Sequence, residues 1–505
     1  MAFITRYSLE KAFKKLSKLK NIFDVFALLH YVCKEKYADI YDLCLLGYIG
    51  DWGEFFIDWQ KRAADILPPE IKLSAPNIRG EDVCNFLKQA GGIQTDAFLV
   101  ACYALLLAID RRSAFIAAYR DIPASPSELA PLYPPLNTDA SLGRVYQKET
   151  SKIAKKIESL DSCHQIRTGK DRGARLDDRL ENLVVIPPET LGYNIEMRSL
   201  PVTMRNKLED IDGTLKIAVV QIIDDVSEFT IEQSSVTYGD RPGYWFSGLQ
   251  NPQQVSESVK EILMDLSAQG VNIVVFPELT VPEEVLLAIK ETMNSSNNLV
   301  MVIAGSFHKE CEGKRFNICT VLGPGGIKLW EQKKMHPFVL MPDEASSIPQ
   351  LSGSDEFKSK GGIEAINLAE RKIVICDAPP IGRMVVLICL DFIVPEYEAV
   401  LRELGVNMVF VPALTPSVSN FQDAARHYGS FARASVFMAN SCAVTRKRPK
   451  TPQGNSLIYI PIRNGERWLR CDCPKRYLIF DLANILGGGC QLNNPCGKCG
   501  VKIIE

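Results

Sequence analysis

Residues 271–279, Val271-Asn272-Ile273-Val274-Val275-Phe276-Pro277-Glu278-Leu279, form an apolar run that a proline halts and a carboxylate follows. The β-branched and aromatic residues of this run read as a strand. Before it, Val255 to Ser267 has helical spacing, with Val255, Val259, Ile262, Leu263 and Leu266 on one side. After it, Val281 to Met293 reads as a helix and Leu299-Val300-Met301-Val302-Ile303-Ala304 as the next strand. The β-rich run Leu215 to Gln221 opens the series after Asp212-Gly213, and Phe316 to Leu322 adds a further strand. Strands alternating with helices predict an α/β domain.

The rest of the chain has a different texture. At 505 residues it is too long for one core, and two to four domains are expected. Residues 1 to about 120 carry helical patterns, among them the basic amphipathic stretch Ser8 to Leu16 and the aromatic and aliphatic runs from Ile22 to Trp59. The longest apolar run, Ala97 to Ile109, lies between Asp96 and Asp110 and falls short of the ~18 residues of a membrane span, so it reads as a buried helix. Pro123, Pro126, Pro131, Pro134 and Pro135 then crowd one stretch that cannot continue a helix. Helical spacing resumes from Val145 to Leu160, and Arg167 to Arg179 mixes both signs of charge, as a solvated connector does. The expected layout is a helical domain at 1–120, a Pro-rich and charged linker region with a helix at 121–212, the α/β domain at 213–487 and a Cys-rich tail at 488–505.

Composition excludes some classes and leaves others open. With 46% hydrophobic residues, 23% charged residues and a net charge of -2, the chain reads as a soluble globular protein without a field that would select nucleic acid or a membrane. Met1 to Arg6 has no apolar signal-peptide core, and fifteen cysteines in such a chain predict reduced thiols and a cytoplasmic location. Near the end, Cys471, Cys473, Cys490, Cys496 and Cys499 give a C-x-C, a single cysteine and a C-x-x-C. Four thiolates there could enclose a structural zinc ion. The spacings match no standard zinc ribbon, however, and ordinary reduced thiols are the competing reading.

Three reactive groups occupy strand-end settings: Glu278, Lys334 in Lys333-Lys334-Met335-His336-Pro337-Phe338, and Cys389 in Met384-Val385-Val386-Leu387-Ile388-Cys389-Leu390-Asp391-Phe392. Alone, each has an ordinary reading as a turn carboxylate, a solvated lysine or a core thiol. Together they could perform nucleophilic chemistry. A thiol with a pKa of ~8.5 is mostly protonated near neutrality, so a carboxylate in reach could take its proton during attack, and an ammonium in a dry pocket would stabilise the anion formed.

These segments resemble the nitrilase superfamily of carbon-nitrogen hydrolases over about Leu215 to Leu482. The resemblance is carried by Ala218-Val219-Val220-Gln221, Phe276-Pro277-Glu278-Leu279, Lys333-Lys334-Met335-His336, and Cys389-Leu390-Asp391 followed by Pro395-Glu396. Met408 to Ala413, Phe431-Ala432-Arg433-Ala434, Gly454-Asn455-Ser456 and Tyr477 to Leu482 are similar to the family's later elements. It implies a four-layer α-β-β-α sandwich, with Cys389 as nucleophile, Glu278 as general base, and Lys334 with the backbone N–H of Leu390 stabilising the oxyanion. A small amide-like substrate would pass through a thioester without a metal or organic cofactor, and the sandwich would assemble as a homo-oligomer. The family's second glutamate has Glu344 as its nearest counterpart, with Asp343 as rival.

Some features depart from the resemblance. The interval from Met341 to Pro380 is longer than usual and predicts an added loop or hairpin at the pocket mouth. Ile393 replaces a common arginine, and Val436 a common glutamate. His336 and His427 are expected to be structural. The expected activity is hydrolysis of an amide or carbamoyl compound. Acyl transfer and nitrile hydrolysis are alternatives on the same residues. A non-catalytic scaffold or effector, with the helical module binding a protein partner in an assembly such as a bacterial defence system, is a reading of another class.

Overall fold

The computed structural model describes residues 13–46, 51–69, 71, 78–91, 95–115, 132, 135–148, 176–186, 194–211, 214–368, 371–379, 381–432, 434–441, 443, 456–462, 465–471 and 477–482. In the N-terminal part, α1 (Ile22–Glu35), α2 (Asp51–Ile66), α3 (Gly80–Lys88) and α4 (Asp96–Arg112) share one apolar core. The apolar run at 97–109 is the body of α4, buried at every position from Phe98 to Leu107, as a helix enclosed by its neighbours must be. The Thr95 side chain caps its start by accepting the Phe98 N–H at 3.2 Å, and Arg111 and Arg112 sit in its last turn, opposite in sign to the helix dipole there. Among the described residues, no helix is long and apolar enough to cross a membrane.

Two buried carboxylates tie later chain to these helices. Asp24 accepts the N–H groups of Thr138 at 2.9 Å and Asp139 at 2.7 Å. Asp110 accepts those of Glu181, Asn182 and Leu183 at 2.7, 3.1 and 2.8 Å. The helix expected from Val145 is corrected at its start: Arg144–Gln147 is strand β1, paired antiparallel with β2 (Leu183–Ile186), and residues 149–160 lie outside the described set. Strand geometry prevails because alternation lets each side of the pair bury its side chains. Val145, Leu183 and Val185 join the helical core, while Tyr146, Val184 and Ile186 join the core of the α/β part. The end of the charged stretch is also not solvated, since Asp177 pairs with His30 at 2.7 Å and Lys34 at 3.4 Å. Residues 167–175 lie outside the described set.

The α/β part is two facing sheets with helices outside. In β4 (Lys216–Val220), Ile217 and Val219 face the core between the sheets, and Ala218 and Val220 face the outer helices. The adjacent parallel strands β7 (Ile273–Val275) and β8 (Met301–Ile303) repeat this division. Antiparallel strands complete the sheet: β9 (Phe307–Cys311), β10 (Lys314–Gly323) and β11 (Ile327–Lys333) on one side, β20 (Tyr477–Asp481) on the other. α6 (Pro252–Ala268) and α7 (Glu283–Ser295) cover its outer face with Val259, Ile262, Leu263, Leu266, Val285 and Ile289. Upstream, α5 (Val202–Asp210) packs its Met204 and Leu208 into the inter-sheet core.

The second sheet runs β19 (Gly465–Cys471), β18 (Ser456–Ile462), β17 (Ser435–Asn440), β16 (Met408–Ala413), β15 (Gly382–Val386), β14 (Lys372–Ala378) and β3 (Asn194–Ser199). Strand β3 pairs with β14 although it precedes residue 213, so the sandwich draws on chain upstream of the expected domain start. Tyr397 and Leu401 of α10 (Pro395–Glu403) and Phe421, Ala425 and Tyr428 of α11 (Ser419–Ala432) cover this sheet. The order of layers is therefore α-β-β-α, preceded by helices, as the sequence leads one to expect. A smaller sheet is added at one end. It joins β5 (Phe229–Tyr238), β6 (Arg241–Leu249), β13 (Gly362–Glu364) and β12 (Val339–Leu340). The long interval after Met341 supplies β13 and two short helices, α8 (Pro342–Ser347) and α9 (Asp355–Lys360), while the β5–β6 hairpin has no counterpart in the sequence reading.

Candidate active site

Strand β7 ends at Val275, β15 at Val386 and β16 at Ala413, and the parallel arrangement within each sheet brings these C-terminal ends to one end of the sandwich. Such strand ends are where open α/β sheets form sites. Glu278 follows β7, Cys389 follows β15, and the Glu278 N–H donates to the Ala413 carbonyl at 3.3 Å, joining the two sheets here. Cys389 begins a short 3-10 turn at φ +49°, and Leu279, next to Glu278, has φ +59°. Left-handed backbone at two non-glycine residues is sparse and strained, and it concentrates at functional sites. Leu390 is the second residue of the same turn.

Cross-strand neighbours supply the rest. On β9–β10, His308 lies directly opposite Asn317, and the Lys334 N–H donates to the Asn317 carbonyl at 2.8 Å just past β11. One row across three strands therefore carries His308, Asn317 and Lys334. The Lys334 ammonium donates to Glu278 Oε1 and to Glu364 Oε2, each at 2.7 Å, with all three side chains no more than 2% exposed. Asn317 Nδ2 bridges the same carboxylates, at 3.0 Å to Glu278 and 2.9 Å to Glu364. The Cys389 thiol lies beside the Glu278 carboxylate and the Lys334 ammonium, whose charges act on it in opposite directions. Glu278, Lys334 and Cys389, singled out from their own motifs, thus lie together.

The second glutamate on the lysine is Glu364, which corrects the expectation of Glu344 or Asp343. Glu344 instead closes the first turn of α8 by accepting the Met341 N–H at 3.0 Å, and Asp343 beside it is exposed. Glu364 stands on β13, whose pairing with β6 sets it opposite Tyr244. Besides Lys334 and Asn317 it accepts the Phe338 N–H at 2.8 Å and a bond from His308 Nε2 at 2.9 Å. His308 Nδ1 accepts the Phe246 N–H at 2.8 Å, so the Nε2 proton is the one shared with Glu364. Asp391, two residues after Cys389, has a role that its motif does not signal. Its buried carboxylate accepts the N–H groups of Met335 at 3.0 Å and His336 at 2.9 Å, locking the turn after Lys334 to the turn that holds Cys389.

The surroundings separate the two glutamates electrostatically. Burial and the neighbouring charge of Glu364 raise the Glu278 pKa, although Lys334 opposes the shift. Burial also works against the Glu364 anion, but Lys334 and His308 outweigh it and hold this carboxyl well below its ordinary range. The donor count explains the difference: Glu364 accepts from Lys334, Asn317, His308 and Phe338, Glu278 from Lys334 and Asn317. For Lys334, burial acts downward, yet the two carboxylates push its pKa well above the ordinary lysine value. Burial and the Glu278 charge push the Cys389 thiol well up.

A cavity of about 250 Å³ opens onto Glu278, Lys334, Glu364 and Leu414. Tyr244 and Phe246 from the added hairpin, and Leu340 to Ile348 from the long interval, form other parts of its wall, so the expected insertion does border the pocket. Cys389, 4% exposed, lies behind this wall, beside Glu278, which lines the cavity. His336 Nδ1 bonds to Asp391 at 3.0 Å, and His427 is exposed beside Glu398. Cys473, Cys490, Cys496 and Cys499 lie outside the described residues, as does the side chain of Cys471. Among the described residues, no group of three or more His, Cys, Asp or Glu side chains could hold a metal ion.

Gly305 supports the Glu278 turn from behind. It has φ +54°, and a Cβ there would lie 2.2 Å from the Pro277 carbonyl oxygen. Gly305→Ala is expected to lower stability by about 1–3 kcal/mol through strain and clash, read by thermal unfolding, and to displace the glutamate; unchanged melting would contradict this.

Residues 241–462 match the family described as carbon-nitrogen hydrolase. This part of the chain is thus similar to the carbon-nitrogen hydrolases. Among solved structures, an amidase from Nesterenkonia sp. is 16% identical and aligns over 55% of this chain and 93% of its own, with a TM-score of 0.35. Saccharomyces cerevisiae Nit3, a member of branch 10 of the nitrilase superfamily, is 13% identical over 55% of this chain and 92% of its own, with a TM-score of 0.37. The C. elegans NitFhit protein is 18% identical over 54% of this chain and 62% of its own, with a TM-score of 0.35. No curated protein matches the chain.

Proposed function

We propose that this protein hydrolyses the carbon-nitrogen bond of an amide or carbamoyl compound through a thioester on Cys389. The observation that carries the reading is the Glu278 carboxylate, set beside the Cys389 thiol and bonded to the Lys334 ammonium at a cavity. Because the thiol pKa is pushed well up, the resting pair is thiol and carboxylate, and Glu278 takes the proton as sulfur attacks the carbonyl carbon. The oxyanion is met by the Lys334 ammonium and the Leu390 N–H. Collapse breaks the C–N bond, with the Glu278 proton passing to the departing nitrogen. Water, deprotonated by Glu278, then attacks the thioester; the acid leaves and the proton returns to sulfur. Glu364 and Asn317 hold Lys334 and Glu278 in place throughout. This sequence of proton transfers needs no metal or organic cofactor.

Ammonia release from a panel of simple amides, together with intact-mass detection of an acyl adduct on Cys389, tests the reading. The pH profile adds a check. Glu278 must be ionised to accept the proton, and its pKa is raised, so kcat/KM is expected to fall on acidification at a pH above the ordinary glutamate value of ~4.3. Lys334, pushed well above its usual range, keeps its charge through neutral pH. Activity that stays level down to about pH 4 would count against Glu278 as the base.

A further inference from the structure

The cavity wall combines two chemical characters. Most of it is apolar: Val226, Phe246, Phe338, Leu340, Ile348 and Pro416 contribute. Its ionisable members among the described residues are the carboxylates Glu278, Glu364, Asp343 and Glu344 and one cation, Lys334. That cation is already shared between two carboxylates at 2.7 Å each. Tyr244 does not supply a counter-charge either, since its hydroxyl donates to the Phe338 carbonyl at 3.4 Å and burial pushes its ionisation well up.

A carboxylate on the acyl part of a substrate would therefore enter an apolar cavity with no unshared cation among its described lining residues. It would also face Asp343 and Glu344 in the cavity wall. An unpaired buried charge is strongly disfavoured, and like charges at a recognition site discriminate by repulsion. A neutral aliphatic or aromatic acyl group meets neither cost and gains by burial. Resting on the amide-hydrolase reading above, we propose that the site accepts amides of apolar, uncharged acyl groups and rejects amides whose acyl chain carries a carboxylate. Monoamides of dicarboxylic acids and carboxylate-bearing carbamoyl compounds are thereby excluded as substrates.

The test compares hexanamide with the monoamide of adipic acid, which matches it in chain length and adds only a terminal carboxylate. Binding to full-length Cys389→Ala protein is measured by calorimetry, and ammonia release by the unmodified enzyme is measured separately. Hexanamide is expected to bind at least about tenfold more tightly, and the gap should narrow in the Asp343→Asn, Glu344→Gln double variant. Equal or tighter binding of the carboxylate-bearing amide overturns the proposal, as does failure of hexanamide to bind. Preferential binding of hexanamide without ammonia release from any amide keeps the pocket assignment and removes the hydrolase reading. Ammonia release with the opposite preference does the reverse.

Discussion

Cys389→Ala is expected to abolish both the acyl adduct and ammonia release, lowering turnover by about a thousandfold or more. Lys334 and Glu278 would remain, but water alone would have to attack the amide without the thioester that divides the reaction into two easier steps. The fold should survive. The residue is small, and losing one buried thiol costs about 1 kcal/mol, so a near-normal melting temperature should accompany the loss of turnover. Retained ammonia release at a comparable rate would remove Cys389 from the chemistry. A collapsed melting temperature would instead assign it to the core.

Lys334→Met is expected to damage both stability and activity. The substitution keeps most of the apolar stem and removes the ammonium that both Glu278 and Glu364 contact at 2.7 Å. Two buried carboxylates would then face each other without their cation, a loss of about 3–5 kcal/mol near neutral pH. The sign with pH follows from linkage. In the unmodified protein Glu364 has a depressed pKa, so its contribution is present above the unfolded value and fades as pH falls. Without Lys334 that contribution is lost and protonation relieves the repulsion, so the deficit should be largest at neutral pH and shrink in acid. Adding Glu364→Gln should recover much of the stability and none of the ammonia release. Denaturant unfolding at several pH values checks this. A deficit independent of pH would show that Lys334 acts through packing alone.

The α/β part was legible because its strands are dense in β-branched residues and its helices keep clean apolar faces, as Val259, Ile262, Leu263 and Leu266 do. Glu278, Lys334 and Cys389 could each be singled out because they end or follow such strands. Glu364 could not. It stands on a three-residue strand after Gly361-Gly362, in a stretch whose lysines, serines and glycines read as loop, and only its pairing with β6 reveals it. The β5–β6 hairpin escaped for a related reason: from Glu232 onward β5 is largely solvent-facing and lacks a repeated apolar face. His308, Asn317 and Asp391 act through partners distant in sequence, which local pattern does not encode. Residues 144–147 read as a helix start in sequence because two different cores absorb the strand's alternate side chains.

That last strand pair also bears on how the chain holds together. β1 and β2 form a partition with apolar residues on both sides, and neither the helices nor the sandwich can be removed without wetting one of them. The N-terminal part is therefore not an appendage hung on a self-sufficient sandwich. Excising it would leave a greasy wall open to water, and melting of either half should bring down the other.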